Sequence, residues 1–255
     1  MRSPNKKNCS VRRSALSFGQ IVLLALVAWP CYQIGIFAIA SNFRVVVPGR
    51  IYRSGQPEAG QLETWIHRYG LKTIVNLRGS MSPRAAEEEA VADATGVRLV
   101  HIALSASRPM THEQLLDVLS VLDDVEEPVL IHCAHGVDRS GTVSAMAAWL
   151  IGGWSYEKAK WQAFVPPGPW KNRRGLGHIS DTLSEYEAYC RNLGLAYDDP
   201  NRFRRWAAEA HYDPDSYLTA RFGLHAGADP NSAGADVTTL SHVATRQLKQ
   251  TAALR

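Results

Sequence analysis

The sequence predicts an α/β fold, with a central and mainly parallel sheet flanked by helices. Three observations carry that expectation. Short apolar runs of strand type, such as Thr73–Leu77 and Val129–Ile131, alternate with helix-length segments, which is the pattern of strands and crossover helices around one sheet. Glycines stand where two of the helical segments stop, at Gly70 and Gly96. A glycine-bearing loop joins the Val129–Ile131 run to an alanine-rich stretch, and open sheets of this class present their ligands at the carboxyl ends of strands.

Taken in order, Phe43–Arg53 reads as one extended stretch. Gln61–Tyr69 is helical and Thr73–Leu77 a short apolar strand. Ala85–Thr95 is a helix with acids in its first turns, and Val97–Ile102 a strand. Thr111-His112-Glu113-Gln114 has the form of a capping box. Leu115, Leu116, Val118, Leu119 and Leu122 then form one apolar helix face. Val129–Ile131 is the central buried strand, and Ser144–Leu150 lies in the helix after the loop. Tyr156–Phe164 is helical before the Pro- and Gly-rich Val165–Gly175 breaks regular structure. Leu183–Leu193 and Asn201–Ala210 are the last helices, and from about Ala226 a Gly-, Ala-, Asp- and Ser-rich tail is expected to be disordered or loosely attached.

The 255-residue chain has room for one medium domain with extensions, and its 45% hydrophobic content is ordinary for a globular protein. Its beginning differs. Arg2, Lys6, Lys7, Arg12 and Arg13 are basic, and no acidic residue precedes Glu58. From Ile21 to about Ala40 the chain is apolar apart from Pro30, Gln33 and Gly35, long enough to span a bilayer. Positive charge ahead of that run predicts an inside N-terminus and the remainder outside. Two forms stay open, a retained signal anchor or a signal peptide cleaved at Ala38-Ile39-Ala40. The expected location is the inner membrane of a bacterium, single-pass, with the folded part periplasmic or otherwise extracytoplasmic, or the periplasm itself after cleavage. The expected divisions are 1–41 for this segment, 42–200 for the main domain and 201–255 for a helical extension and tail.

Removing the five basic residues of positions 1–41 from the total of 28 leaves 23 basic against 24 acidic residues, a net charge of −1 in place of +4. The basic balance therefore reflects targeting and is no argument for nucleic acid as a partner. Of the four cysteines, Cys9 and Cys31 lie in the targeting segment. Cys133 and Cys190 alone make no disulfide framework, and Cys190 is expected to pack inside a helix. His101, His112, His132 and His135 have no metal-ligand spacing, so neither a metal nor another cofactor is expected.

The segment His132-Cys133-Ala134-His135-Gly136-Val137-Asp138-Arg139-Ser140-Gly141 carries the chemistry. A loop that opens a helix presents backbone N–H groups with no intrahelical partner at the positive end of the helix dipole. It is a ready anion site. Gly136 can adopt positive φ and let successive N–H groups form one concave nest. The backbone of Ala134, His135, Gly136, Val137, Asp138 and Arg139 would then hold phosphoryl oxygens, and the Arg139 guanidinium matches two of them. The same field favours the thiolate of Cys133, the nucleophilic form. Ser140 can donate a hydrogen bond to the sulfur and ease its departure. His132 is expected to position the loop from behind.

This Cys-x5-Arg-Ser block with its preceding histidine resembles the signature of the protein tyrosine phosphatase superfamily, closest to its dual-specificity-like members. Ile51-Tyr52-Arg53-Ser54-Gly55-Gln56-Pro57 and Leu71-Lys72-Thr73-Ile74-Val75-Asn76-Leu77-Arg78 resemble that group's opening and its next strand, and the likeness runs from about Val47 to Trp154. The resemblance implies a cysteine-phosphatase-like fold and hydrolysis of phosphate monoesters through a cysteinyl-phosphate, with Cys133 as nucleophile and without a cofactor. Phosphotyrosine, phosphoserine or phosphothreonine in proteins is the default substrate. A phospholipid or inositol phosphate is the alternative. Arg78 would reach the phosphate pocket, orient the loop or form an ion pair.

The chain departs from that family at one place. Relatives supply a general-acid aspartate from the loop after the strand ending near Ile102, but Ala103-Leu104-Ser105-Ala106-Ser107-Arg108-Pro109-Met110-Thr111 contains no carboxylate. Three readings follow. Asp138 is the acid, matching the Asp-Arg pair of lipid-active cysteine phosphatases; or the acid is absent and leaving groups are good; or the protein binds phosphate with little turnover. Asp181 is a remoter candidate and more naturally a helix cap. Lys171, Arg173 and Arg174 could rim the pocket or form a solvated loop. A rhodanese-like sulfur carrier also uses a loop cysteine, but Arg139-Ser140 fits it poorly.

Overall fold

A computed structural model of the chain describes residues 41–82, 84–164 and 178–209, together with Gly19, Ala28, Trp29 and Gly35. Apart from Ala28, Trp29 and Gly35, the apolar run from Ile21 lies outside the described residues, as do the Lys171, Arg173 and Arg174 segment and the tail from Ala226. No helix among the described residues is long and apolar enough to cross a membrane.

The sheet begins with a hairpin, β1 (Arg44–Val47) and β2 (Ile51–Ser54), paired antiparallel. The single extended stretch expected over Phe43–Arg53 is therefore two strands. Pro48 and Gly49 interrupt it: Gly49 sits at φ 74°, and Arg50 N–H donates to the Val47 carbonyl at 3.0 Å to close the turn. Then follow α1 (Ala59–Tyr69), β3 (Thr73–Asn76), α2 (Ala85–Thr95), β4 (Arg98–His101), α3 (His112–Asp123) and β5 (Val129–His132). The last helices are α4 (Asp138–Leu150), α5 (Tyr156–Phe164), α6 (Asp181–Asn192) and α7 (Pro200–Ala208).

Local chemistry explains several boundaries. Thr111 caps α3, accepting from Gln114 N–H at 3.2 Å, while the Gln114 amide oxygen accepts from Thr111 N–H at 3.0 Å. Gly70 and Gly96 end α1 and α2 in the left-handed region, at φ 61° and 67°. Helix α4 is buried from Ser140 to Trp149, and its small residues allow close approach. A Cβ on Gly141 would stand 2.8 Å from the Gln162 carbonyl of α5.

The strand order is β1-β2-β5-β3-β4, and every pair after the hairpin is parallel. Strand β5 lies at the centre and is wholly buried. Its side chains alternate between two cores. Val129 and Ile131 join Ile51 and Val75 beneath α3 to α7, whereas Leu130 joins Tyr52 and Ile74 against Leu62, Trp65 and Ile66 of α1. Each fully buried aliphatic side chain contributes about 2 kcal/mol. Helix α7 buries Phe203, Trp206 and Ala207 in the first core, with the Trp206 ring 5.2 Å from that of Tyr186. The helix assigned to the 201–255 extension thus shares the main domain's core. Cys190 of α6 is fully buried there and is a free cysteine.

The register brings the carboxyl ends of the parallel strands together. Ser54 of β2 and Asn76 of β3 both pair with His132, and Asn76 pairs with His101 of β4. Whatever follows these four residues is therefore gathered at one edge of the sheet.

Candidate active site

The loop between β5 and α4 stands at that edge. Its carbonyl groups are drawn outward by the neighbouring chain. Gln56 N–H donates to the Ala134 carbonyl at 3.2 Å, and the Asn42 side-chain amide donates to the His135 and Gly136 carbonyls, each at 2.9 Å. In a planar trans peptide the N–H points opposite to the C=O. Fixing these three carbonyls outward therefore turns the N–H groups of His135, Gly136 and Val137 inward, toward the concave side. Gly136 adopts φ 68°. A Cβ there would lie 2.4 Å from the Gly55 nitrogen and 2.6 Å from the Ser54 carbonyl carbon, so both conformation and space require glycine.

Cys133 lies beneath this cradle, 2% exposed. Ser140, fully buried in the first turn of α4, places its Oγ 3.4 Å from Cys133 Sγ. Burial alone would push the Cys133 thiol up. The Ser140 hydroxyl and N–H, the Arg139 charge and the His135 N–H outweigh it and hold the thiol below its ordinary range. Among the described residues Arg139 Nη1 makes only long contacts, 3.5 Å to the Leu77 carbonyl and 3.4 Å to that of Leu104. These hold the guanidinium near the loop, and its Nε is buried with no hydrogen-bond partner among the described residues.

Behind the loop lies a buried polar network that the sequence reading did not find. Glu88, one of the acids in the first turns of α2, is 2% exposed. Its Oε1 is 3.2 Å from His132 Nε2 and accepts a short hydrogen bond from the Gln56 amide. Its Oε2 accepts from the Asn76 amide at 2.5 Å. Gln56 Oε1 in turn accepts from Arg78 Nη1 at 2.8 Å, so Arg78 supports the loop through Gln56 and Glu88. Burial pushes Glu88 up to about 7 against the pull of the Asn76 and Gln56 hydrogen bonds. Burial, aided by the charges of Arg78, His101 and Arg139, lowers His132 to about 3. His132 is consequently a neutral support and not a proton carrier at neutral pH.

Asp138 opens α4 with its side chain 27% exposed, and its Oδ1 lies 2.9 Å from His178 Nε2. Asp181 is one residue inside α6, whose cap is Ser180. Its Oδ2 accepts from His178 N–H at 2.9 Å, which ties down the backbone of its own segment. Ser107 forms a turn with Ser105, their hydroxyls 3.2 Å apart. Three contributors escaped sequence reasoning. Asn42 and Glu88 carry no motif around them, and their roles depend on burial. His178 lies forty positions from Asp138. For His178 the expected cap at Asp181 was the one available hint that its backbone is held in place.

A thiolate under a backbone cradle at a helix N-terminus, with an arginine at its mouth and a serine beside the sulfur, defines a cysteine phosphatase. A family model described as a DSP-PTPase phosphatase fused to NAD+ kinase matches residues 44–163. The dual specificity protein phosphatase TpbA of Pseudomonas aeruginosa is 29% identical over 176 residues, which are 63% of this chain and 73% of the relative. The inositol diphosphatase DSP3 of Arabidopsis thaliana is 32% identical over 111 residues, 42% of this chain and 53% of the plant protein, so that match spans about half of the relative. Among solved structures, P. aeruginosa TpbA in complex with pTyr has a TM-score of 0.41 at 27% identity, covering 67% of this chain and 93% of that one. Residues 44–163 are thus similar to the dual-specificity-like cysteine phosphatases of the protein tyrosine phosphatase superfamily, and the protein is an enzyme of the cysteine phosphatase class.

Proposed function

We propose that the protein hydrolyses phosphate monoesters through a cysteinyl-phosphate on Cys133, with phosphorylated tyrosine, serine or threonine in proteins as its substrate. The observation that carries this reading is the placement of Cys133 Sγ against Ser140 Oγ at 3.4 Å beneath outward-fixed loop carbonyls. The N–H groups of the Ala134–Arg139 backbone and the Arg139 guanidinium hold three phosphoryl oxygens, sulfur attacks from below, and Ser140 stabilises the thiolate when it leaves. Asp138 protonates the leaving oxygen and then takes the proton of the attacking water. Its partial exposure at the rim suits a group that must meet the leaving oxygen.

Support for a protein substrate is the similarity to TpbA, a dual specificity protein phosphatase. A second reading, an inositol phosphate or phospholipid headgroup, is supported by the similarity to a plant inositol diphosphatase and by the Asp138-Arg139 pair. Phosphate binding with little turnover is the third. Hydrolysis of p-nitrophenyl phosphate that disappears to the level of buffer in Cys133→Ser is expected, and residual full activity in that variant contradicts the reading. A panel of phosphopeptides and phosphorylated inositols then ranks the substrates by kcat/KM. The N-terminal apolar run is proposed as the membrane attachment, with the domain extracytoplasmic. Alkaline carbonate extraction that leaves the protein in the membrane pellet supports a retained anchor, and release into the soluble fraction speaks for cleavage.

A further inference from the structure

The loop after β4 has no carboxylate, yet a second segment is fastened along it. Ile179 N–H donates to the Ala106 carbonyl at 3.3 Å, and Met110 N–H donates to Thr182 Oγ1 at 3.0 Å. Between these anchors and Asp138 stands His178. Its ring is fixed from both sides. Ser180 N–H donates to His178 Nδ1 at 3.1 Å, with Ser180 Oγ 2.7 Å from the same nitrogen. A backbone N–H can only donate, so Nδ1 is the acceptor and Nε2 carries the ring proton. Nε2 points at Asp138 Oδ1, 2.9 Å away. Asp181 holds the backbone of the same histidine through its N–H at 2.9 Å. One oxygen of Asp138 is thus occupied by a directed donor, while Oδ2 has no hydrogen bond among the described residues.

We propose that His178 is the positioning residue of the acid, engaging Oδ1 of Asp138 so that Oδ2 carries the transferable proton. The inference rests on the reading of Asp138 as the acid. In the first step the S–P bond forms, the P–O bond breaks, and the leaving oxygen takes the proton from Oδ2. In the second, water attacks phosphorus, the S–P bond breaks to return the thiolate, and the proton of water goes back to Oδ2. His178 keeps its own proton throughout. Without it, an aspartate at the first turn of a helix samples several rotamers, and only some of them aim a proton at the rim.

The test uses the full-length protein and two substrates, p-nitrophenyl phosphate, which needs little protonation of its leaving group, and phenyl phosphate, which needs more. On phenyl phosphate, Asp138→Asn is expected to lower kcat roughly a hundredfold and His178→Ala roughly tenfold with KM unchanged. On p-nitrophenyl phosphate both losses, compared as kcat/KM so that only the first step is read, shrink to about twofold or less. His178→Gln, whose amide N–H can replace Nε2, restores most of the phenyl phosphate rate and separates positioning from a failure to fold. In the Asp138→Asn background His178→Ala adds nothing. Equal loss on both substrates, no rescue by glutamine, or a full additional loss on top of Asp138→Asn overturns the role of His178 while Asp138 remains the acid. If instead Asp138→Asn leaves the phenyl phosphate rate unchanged, the acid reading falls, and the role of His178 with it.

Discussion

The nucleophile side and the acid side of this site are built in opposite ways. The first is one unbroken stretch, His132 to Gly141, clamped between β5 and α4, with Cys133 2% exposed. The second is assembled from the 103–110 loop, the first residue of α4 and the chain ahead of α6, and its Asp138 is 27% exposed. The contrast follows from the chemistry. A thiolate needs a shielded field of N–H donors, and a short backbone loop supplies that locally. An acid must meet leaving groups of different shapes, so it sits at the rim, where distant segments converge.

This contrast predicts that substitutions under the cradle act on folding and phosphate binding together, whereas those at the rim act on the chemical step. The largest effect is expected at Gly136. Gly136→Ala places a Cβ 2.4 Å from the Gly55 nitrogen at φ 68°. It should destabilise the protein by about 3 kcal/mol or more, lowering the thermal midpoint as well as activity. An unchanged midpoint with lost activity would mean that the loop is held less tightly than its contacts indicate.

Glu88 comes next and reads out in pH. Its folded pKa, about 7, is raised above its ordinary 4.5, so the folded state binds more protons between those values. Its contribution is complete below about pH 4.5 and is lost as pH rises through 7. His132, lowered to about 3 from 6.5, acts with the opposite sign, its contribution being lost as pH falls from 6.5 toward 3. The stability of the native protein relative to Glu88→Gln should therefore fall by about 2–3 kcal/mol from pH 4.5 to 7 and then level off. Chemical denaturation at a series of pH values measures it, and parallel curves would show that Glu88 ionises freely.

A smaller effect is expected at Asn42. Asn42→Ala removes the donor to two loop carbonyls and should cost about 1–2 kcal/mol. It should also weaken inhibition by inorganic phosphate, because the inward N–H groups lose their fixed direction. A stability loss with phosphate inhibition unchanged would separate the cradle's geometry from this clamp.

Much of the fold could be read in the sequence because its signals are local. Gly70, Gly96 and the Thr111–Gln114 box mark helix ends within a turn of where they occur. The signature loop was legible for the same reason, since Cys133, Gly136, Arg139 and Ser140 interact across a few positions. What escaped was set by tertiary burial. Glu87, Glu88 and Glu89 are chemically alike in sequence, and only packing against β3 and β5 makes Glu88 the buried one. Trp206 looked like part of an extension until α7 proved to complete the core beside Tyr186. His178 and Asp138 meet across forty positions, where α6 is tied to the 103–110 loop and packed in the core.

The central claim is that Cys133 carries the phosphoryl group between the two steps and that Asp138 serves the second. Rapid acid quenching during turnover of p-nitrophenyl phosphate, followed by mass analysis of the peptide containing Cys133, tests it directly. The account predicts a phosphorylated Cys133 in the native protein and a higher steady-state fraction of it in Asp138→Asn, where the good leaving group departs unaided but water lacks its base. Steady hydrolysis with no phosphate on Cys133 in either protein would contradict it.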